Sequence, residues 1–390
     1  MYLLLNPTGK SGTDAMNHWG LPCTEVREPG FGVANGHPTR LSPSCSSWPV
    51  LLNLAGALAF EQGGLRGVIS CHESTLLVAA YLRAQLQVPG PSFDQVLPFV
   101  HKLAMKSTLR AAGLPVADHA LATRQTLLDA TADVVLKPVL GASCIGTERL
   151  DPDQAALVSR MDQCDVRLIE AALDLACEYH VDLVVEGCVA RLVSVSRYLC
   201  PPLSARIRPL VGSGMLASTD PLAGSLGDMA LQAVRALGRL NGVYHCEILE
   251  TLAGERFIGE VAARPGGGPI RTAVMLSHGV DLMKEHLRLG LDDGDRAGVA
   301  AEPFPEQGRR VAWGIFRAPP GEIDHIHGLE SVEASPGVLA VEQHLFPGDS
   351  IPIEAHPYTG VASVWAALDA DDQLDVLLPA LGSLVKVDLR

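Results

Sequence analysis

Hydrophobic and polar positions change texture twice along the 390 residues. From residue 1 to about 98, short apolar runs alternate with longer periodic ones. The pattern predicts a strand over Tyr2 to Leu5, a Gly-rich turn, and a helix from about Pro49 to Glu61 with Ser47 as its cap. A strand over Gly67 to Ser70 follows. It leads into a helix over Ser74 to Leu86, with Leu77, Leu82 and Leu86 at near-helical spacing, stopped by Pro89-Gly90-Pro91. Strands alternating with helices imply a parallel α/β layer.

From about 99 to 293 the pattern predicts a helix over Lys102 to Ala112 with a Gly113-Leu-Pro115 stop, then a strand over Val134 to Leu136 running into a glycine-bearing stretch. Strand-like runs occupy Leu168-Ile169, Tyr179 to Val185 and Arg191 to Ser196, and an amphipathic helix occupies Asp228 to Leu240. A hairpin spans about Tyr244 to Ala262. From about Gly294 to the end, short strands (Val311 to Arg317, Gly337 to Val341) stand among frequent Pro and Gly. No internal repeat or low-complexity tail is evident.

The hairpin carries the most informative chemistry. If Ala253-Gly254 is the centre of its turn, opposed residues have numbers summing to 507 and Glu247 faces Glu260. Carboxylates opposed across two strands lie about 5 Å apart and repel by roughly 3 kcal/mol at an effective dielectric near 20. Alternation puts His245, Glu247, Glu260, Ala262 and Arg264 on one face and Cys246, Ile248, Phe257 and Val261 on an apolar opposite face. A solvated polar face would tolerate such a pair. All-oxygen ligation is what Mg²⁺ prefers, so the pair predicts a site for Mg²⁺ or Mg²⁺-ATP.

Composition narrows the classes. Apolar residues at 47% and charged residues at 19% describe a globular chain, and the length suits two to three domains. Lys and Arg number 30 against 44 Asp and Glu, so no broad basic surface is available for nucleic acid or anionic lipid. Trp48 to Phe60, the longest apolar run, contains Asn53 and is too short for a bilayer span of about 20 residues. Nine widely separated cysteines without a CxxC suggest neither a disulfide framework nor a zinc ribbon, and the expected location is the cytoplasm.

Any anionic ligand must therefore be held by local cations. Lys137-Pro138 ends a predicted buried strand, and Gly141-Ala-Ser-Cys-Ile-Gly146 follows, with Ser143 between the glycines. Such a loop can turn backbone N–H groups and a hydroxyl onto phosphate oxygens beside Lys137. It is not a Walker loop, since Thr147-Glu148 stand where Lys-Ser/Thr are required. A plain turn has the same composition, and Lys102, opening the preceding helix, is by itself an ordinary surface lysine.

Taken together, residues 67 to 290 resemble the ATP-grasp superfamily of carboxylate-amine ligases, on the branch of the L-amino acid (dipeptide) ligases, biotin carboxylase and the purine-pathway enzymes. The resemblance rests on Val68-Ile-Ser-Cys-His-Glu73, on Lys102 before Gly113-Leu-Pro115, and on Val135-Leu-Lys-Pro138 with its glycine loop. It continues in Leu168-Ile-Glu170-Ala-Ala-Leu173, Glu178, His245-Cys-Glu247 and Gly259-Glu260-Val-Ala-Ala-Arg264-Pro-Gly-Gly-Gly268. It implies an α/β fold with α+β elements: an N-terminal parallel α/β domain over 1–98, an ATP-grasp domain over 99–293 with a lid at about 118–172, and a β-rich C-terminal portion over 294–390.

The resemblance also implies ATP and one or two Mg²⁺ ions, with Mn²⁺ as a substitute. Lys102, Lys137 and Ser143 would hold phosphate, Glu170 and the backbone near Leu173 the adenine, Glu178 the ribose, and Glu247 and Glu260 the metal. Arg264 would bind the substrate carboxylate and the acyl phosphate, making it and Lys137 the catalytic residues. Glu73, His245 and Gly267 complete the expected substrate site, with Arg271, Arg197 and His278 as further pocket residues; His325-Ile-His327 is read as loop. Ala262 departs from the family, many members of which have Asn there for a second Mg²⁺; Glu260 bridging both ions would compensate. The implied reaction joins a small carboxylate, an amino acid, to an amine as an amide or dipeptide. No nucleic-acid or membrane partner is expected, and a homodimer is compatible. A biotin-carboxylase-like or purine-type ligase, or a nucleotide-binding module with decayed catalysis, remain open alternatives.

Overall fold

In the computed structural model of the chain, the described residues are all except 8–10, 30–37, 152, 154–164, 206–207, 239–240, 302–303, 305–307, 354–355, 357 and 370–372, and except the side chains of 11–13. The N-terminal layer is a four-stranded sheet of β1 (Tyr2–Leu5), β2 (Cys23–Arg27), β3 (Thr39–Leu41) and β4 (Gly67–Ser70) in the order β3-β2-β1-β4. Every pairing in it is parallel, as strands alternating with helices require. The pattern had marked β1 and β4 but not β2. That strand is buried throughout, yet its Glu25 and Arg27 pair with each other at 2.6 Å and disguise it as a polar segment.

A second four-stranded sheet holds β5 (His119–Leu121), β6 (Val134–Pro138), β7 (Glu148–Leu150) and β8 (Arg167–Ala171), all antiparallel. Residues 152 and 154–164 of the expected lid lie outside the described residues.

The third sheet has eight strands. It comprises β9 (Leu175–Glu186), β10 (Val189–Tyr198), β11 (Leu210–Met215), β12 (Gly242–Thr251), β13 (Arg256–Ala262), β14 (Val311–Phe316) and two later strands, Val338–Gln343 and Ala362–Ala367. Their order is β13-β12-β9-β10-β11-β14, then Ala362–Ala367 and Val338–Gln343. One face of it packs Val181, Leu183, Tyr244, Cys246, Ile248 and Val261 onto the helix Pro221–Ala236. That helix begins earlier than Asp228. Asp220 caps it, accepting from the Leu222 N–H, with Pro221 in its first turn, and it ends at Ala236, short of the expected Leu240, with Gly238 at positive φ just beyond.

The opposite face of β9, β12 and β13 carries the polar groups described next. His325 and His327 lie on the strand Gly321–His327 rather than in a loop, and His327 pairs with Asp388 at 3.0 Å. Among the described residues, no helix is long and apolar enough to cross a membrane.

Candidate functional site

Glu247 does face Glu260, and a bulge brings this about. Near the turn the pairs are Glu250↔Arg256, Leu249↔Phe257 and Ile248↔Ile258, whose numbers sum to 506; beyond Gly259 they are Glu247↔Glu260, Cys246↔Val261 and His245↔Ala262, which sum to 507. Gly259 is the extra residue. A Cβ there would meet the Glu247 carbonyl oxygen at 3.2 Å and Leu249 at 3.3 Å. The same bulge corrects one expectation: Ile258, not Phe257, enters the apolar face, because the inserted residue reverses the alternation between the turn and the carboxylates.

Around these carboxylates the charges interlock. Lys102 donates from Nζ to Glu260 Oε1 at 2.9 Å and to the Gly141 carbonyl, tying the start of its helix to the glycine loop. His101 caps that helix, and the Lys102 N–H donates to the Val139 carbonyl at 2.8 Å, so helix and loop are joined twice. His245 Nε2 lies 3.7 Å from Glu247 Oε1. Burial works to raise Glu247, but His245 and Lys102 outweigh it and hold the carboxyl below its ordinary value. Glu178 behaves oppositely. Burial, and then repulsion from Glu247, pushes it well above the carboxylate range.

At the other end, Lys137 Nζ lies 2.6 Å from Glu170 Oε2 and Lys106 Nζ 3.1 Å from Glu170 Oε1. Burial works to raise Glu170, yet the two ammonium groups hold it below its ordinary value. Burial pulls Lys106 down to about 8. Lys106 also donates to the Ile258 carbonyl at 2.9 Å, which locks the helix onto β13. Between the two ends runs the glycine loop, where Gly141, Ser143, Cys144 and Gly146 all have positive φ. Two of these are not glycine, a strained arrangement of the kind that turns successive N–H groups toward an anion.

One cavity of about 900 Å³ gathers these groups. Its wall includes Lys102, Lys137, Ser143, Glu170, Leu173, Glu178, His245, Glu247, Glu260, Arg264, Gly267 and Arg271. Glu73 is placed differently: it lies buried behind Arg264, its Oε2 accepting from the guanidinium Nε at 2.5 Å. Its Oε1 is buried and has no hydrogen-bond partner among the described residues. Burial works to lower the Arg264 pKa, but Glu73 outweighs it and the guanidinium stays charged. Two of the further pocket residues are elsewhere. Arg197 pairs with Asp375 at 2.6 Å, and His278 lines a separate cavity of about 320 Å³.

Sequence reasoning missed Lys106 and a buried trio, His180, Asp182 and Ser213. Lys106 stands one turn beyond Lys102 on an amphipathic helix, a spacing that would have pointed to it. For His180 and Asp182 the signal was two polar residues at alternate positions inside the otherwise apolar Tyr179 to Val185 run; Ser213, on β11, lies outside it.

The donor set fits a hard divalent cation. Glu247 and Glu260 are opposed oxygen donors, and Glu178, raised first by burial and then by repulsion from Glu247, adds a third carboxyl beside them whose repulsion such an ion would offset. Parallel α/β layer, central antiparallel sheet and flanking four-stranded sheet together make the ATP-grasp fold. The solved L-amino acid ligase of Bacillus licheniformis superposes with a TM-score of 0.80 at 19% identity, covering 100% of this chain and 98% of that one. The N5-carboxyaminoimidazole ribonucleotide synthetase of Thermotoga maritima superposes with a TM-score of 0.70 at 14% identity, over 100% and 99%. In sequence, the chain is 25% identical over 327 residues to an L-arginine-specific L-amino acid ligase of Bacillus subtilis, spanning 80% of this chain and 77% of that protein. No family model matches the chain.

Proposed function

We propose that the protein is an ATP-dependent, ADP-forming ligase. It activates a small carboxylate, an amino acid, as an acyl phosphate and joins it to an amine as an amide or dipeptide. The observation that carries this reading is the convergence in one cavity of the opposed carboxylates, two lysines beside a strained glycine loop, and a buried, charged arginine.

Phosphoryl transfer depends mainly on positioning and charge neutralisation. Lys102, Lys137 and the N–H groups of residues 141–146 hold the phosphates; Glu170 and the backbone at Leu173 hold the adenine, and Glu178 the ribose. Glu247 and Glu260 hold Mg²⁺, or Mn²⁺ in its place, which when bound neutralises charge on the phosphate oxygens. Arg264 pairs its planar fork with the substrate carboxylate and then with the acyl phosphate, and Glu73 aims that fork. His245 borders the substrate, and a Cβ on Gly267 would meet nothing within 4 Å, which leaves room for it. A cytoplasmic location is part of this reading.

The test is phosphate release from ATP with pairs drawn from an amino-acid pool, with products weighed by mass spectrometry. The expected result is release only when carboxylate and amine are both present, with a product of their summed mass less one water. Tight ATP binding with no release for any pair would instead favour a nucleotide-binding module.

A further inference from the structure

We infer that Asp182, backed by His180 and Ser213 and acting through His245, is a positioning residue for the metal carboxylate Glu247 and for the loop that carries Arg264. The inference rests on the metal-dependent ligase reading above for what the site holds.

Sheet order creates the arrangement. With β9 between β12 and β10, His180 pairs with Glu247 and Asp182 with His245, so all four side chains share the cavity face. Asp182 is fully buried. Its Oδ2 accepts from His180 Nδ1 at 2.8 Å and its Oδ1 from His245 Nδ1 at 2.9 Å. Behind them, His180 Nε2 and Ser213 Oγ share a hydrogen bond of 2.7 Å. One carboxylate thus fixes two imidazole planes, and His245 is left with Nε2 turned toward Glu247 Oε1, 3.7 Å away.

Both N···O separations are hydrogen-bond lengths, so in this arrangement the Asp182 carboxylate orients the two histidines. Apolar side chains would pack this stretch without the desolvation cost of a buried carboxylate, so stability does not account for the network.

The network also touches the substrate side. A Cβ on Gly266 would come within 2.7 Å of Asp182 Oδ1 and 3.0 Å of His245 Nδ1. The segment from Arg264 to Gly268 therefore lies against the Asp182–His245 pair, and Gly266 has to lack a side chain for it to do so. Metal ligand and substrate loop are registered on the same buried carboxylate.

The experiment titrates Mn²⁺ into the full-length protein with ADP present, by calorimetry or by the Mn²⁺ resonance signal, for wild type and Asp182→Asn. Loss of such an outer partner weakens metal binding by about 10–100-fold. That loss is expected in Asp182→Asn, with metal-free ADP affinity and cooperative melting retained. Ser213→Ala, at the far end of the network, should show a smaller loss that Ser213→Thr restores. Gly266→Ala should raise both the Mn²⁺ Kd and the KM for the carboxylate substrate, although residue 266 is a ligand to neither.

Unchanged Mn²⁺ affinity in a folded Asp182→Asn protein would overturn the inference, as would an equal loss of metal-free ADP binding. If that variant does not fold, unchanged Mn²⁺ affinity in Ser213→Ala overturns it. The metal titration needs no turnover. A protein that makes no product, but whose Mn²⁺ affinity falls in Asp182→Asn, would remove the ligase reading and leave this one standing.

Discussion

The two ends of the cavity carry opposite imbalances of charge. At the end proposed to hold the nucleotide, two ammonium groups, Lys106 and Lys137, share the one carboxylate Glu170. At the end proposed to hold the metal, three carboxylates, Glu178, Glu247 and Glu260, stand against Lys102 and His245. An excess of cations is a place for phosphate, and an excess of carboxylates is a place for a divalent ion. A ligand that brings phosphates and a metal together satisfies both at once.

Removing the metal end should have the largest effect. Glu247→Gln or Glu260→Gln keeps side-chain size but removes an anionic donor, and turnover should fall by about 10³-fold or more, with Mn²⁺ affinity lost in a direct titration. Lys137→Met strikes the other end. It removes the cation proposed to meet the phosphates, and truncating one partner of a buried charge pair across a binding interface costs about 2–5 kcal/mol, so nucleotide Kd should rise by about 10²-fold while Mn²⁺ affinity without nucleotide is unchanged. If both substitutions weaken metal binding equally, the two ends are not separate.

A smaller effect is expected between them. Arg264→Lys keeps the charge and loses the planar fork, so kcat should fall by about tenfold or more while nucleotide affinity holds. Retained kcat would remove Arg264 from the transition-state contacts.

The smallest effect concerns Lys106. Burial lowers its pKa to about 8, below the ordinary lysine value, so the folded protein binds this proton less tightly than the unfolded chain. The cost of the buried ammonium is present in full below about pH 8 and is relieved as pH rises from there toward the unfolded value of about 10.5. Wild type should therefore gain stability relative to Lys106→Met between pH 8 and 10, by at most about 1.4 kcal/mol per pH unit. Denaturant midpoints of the two proteins at pH 7.5 and 10 measure it, and a constant difference would contradict the assignment.

Local chemistry explains which parts of this site the sequence disclosed. Glu247, Glu260, Arg264, Lys102 and Lys137 sit in short motifs whose spacing is kept within one hairpin, one helix or one strand end. The opposed carboxylates were found with a turn centre that does not match the observed register near the turn; the bulge at Gly259 makes up the difference of one residue. Phe257 was misplaced for the same reason. His180 and Asp182 leave only an alternation of polar residues in an apolar run, and their partnership with His245 and Ser213 comes from the order β12-β9-β10-β11, which joins residues far apart in the chain. Glu73 was legible as a site residue by its motif, but its pairing with Arg264 depends on how the N-terminal layer meets the central sheet.

On the proposed function, a substrate carboxylate becomes an acyl phosphate in this cavity. That step is tested most directly by supplying the amino acid that supports turnover with its carboxylate labelled with ¹⁸O and weighing the released phosphate. Attack of a carboxylate oxygen on the γ-phosphorus, followed by attack of the amine on the carbonyl carbon, leaves one labelled oxygen in each phosphate. One ¹⁸O per phosphate, with ADP and amide in equal amounts, is the predicted result. Unlabelled phosphate accompanying amide formation would contradict it.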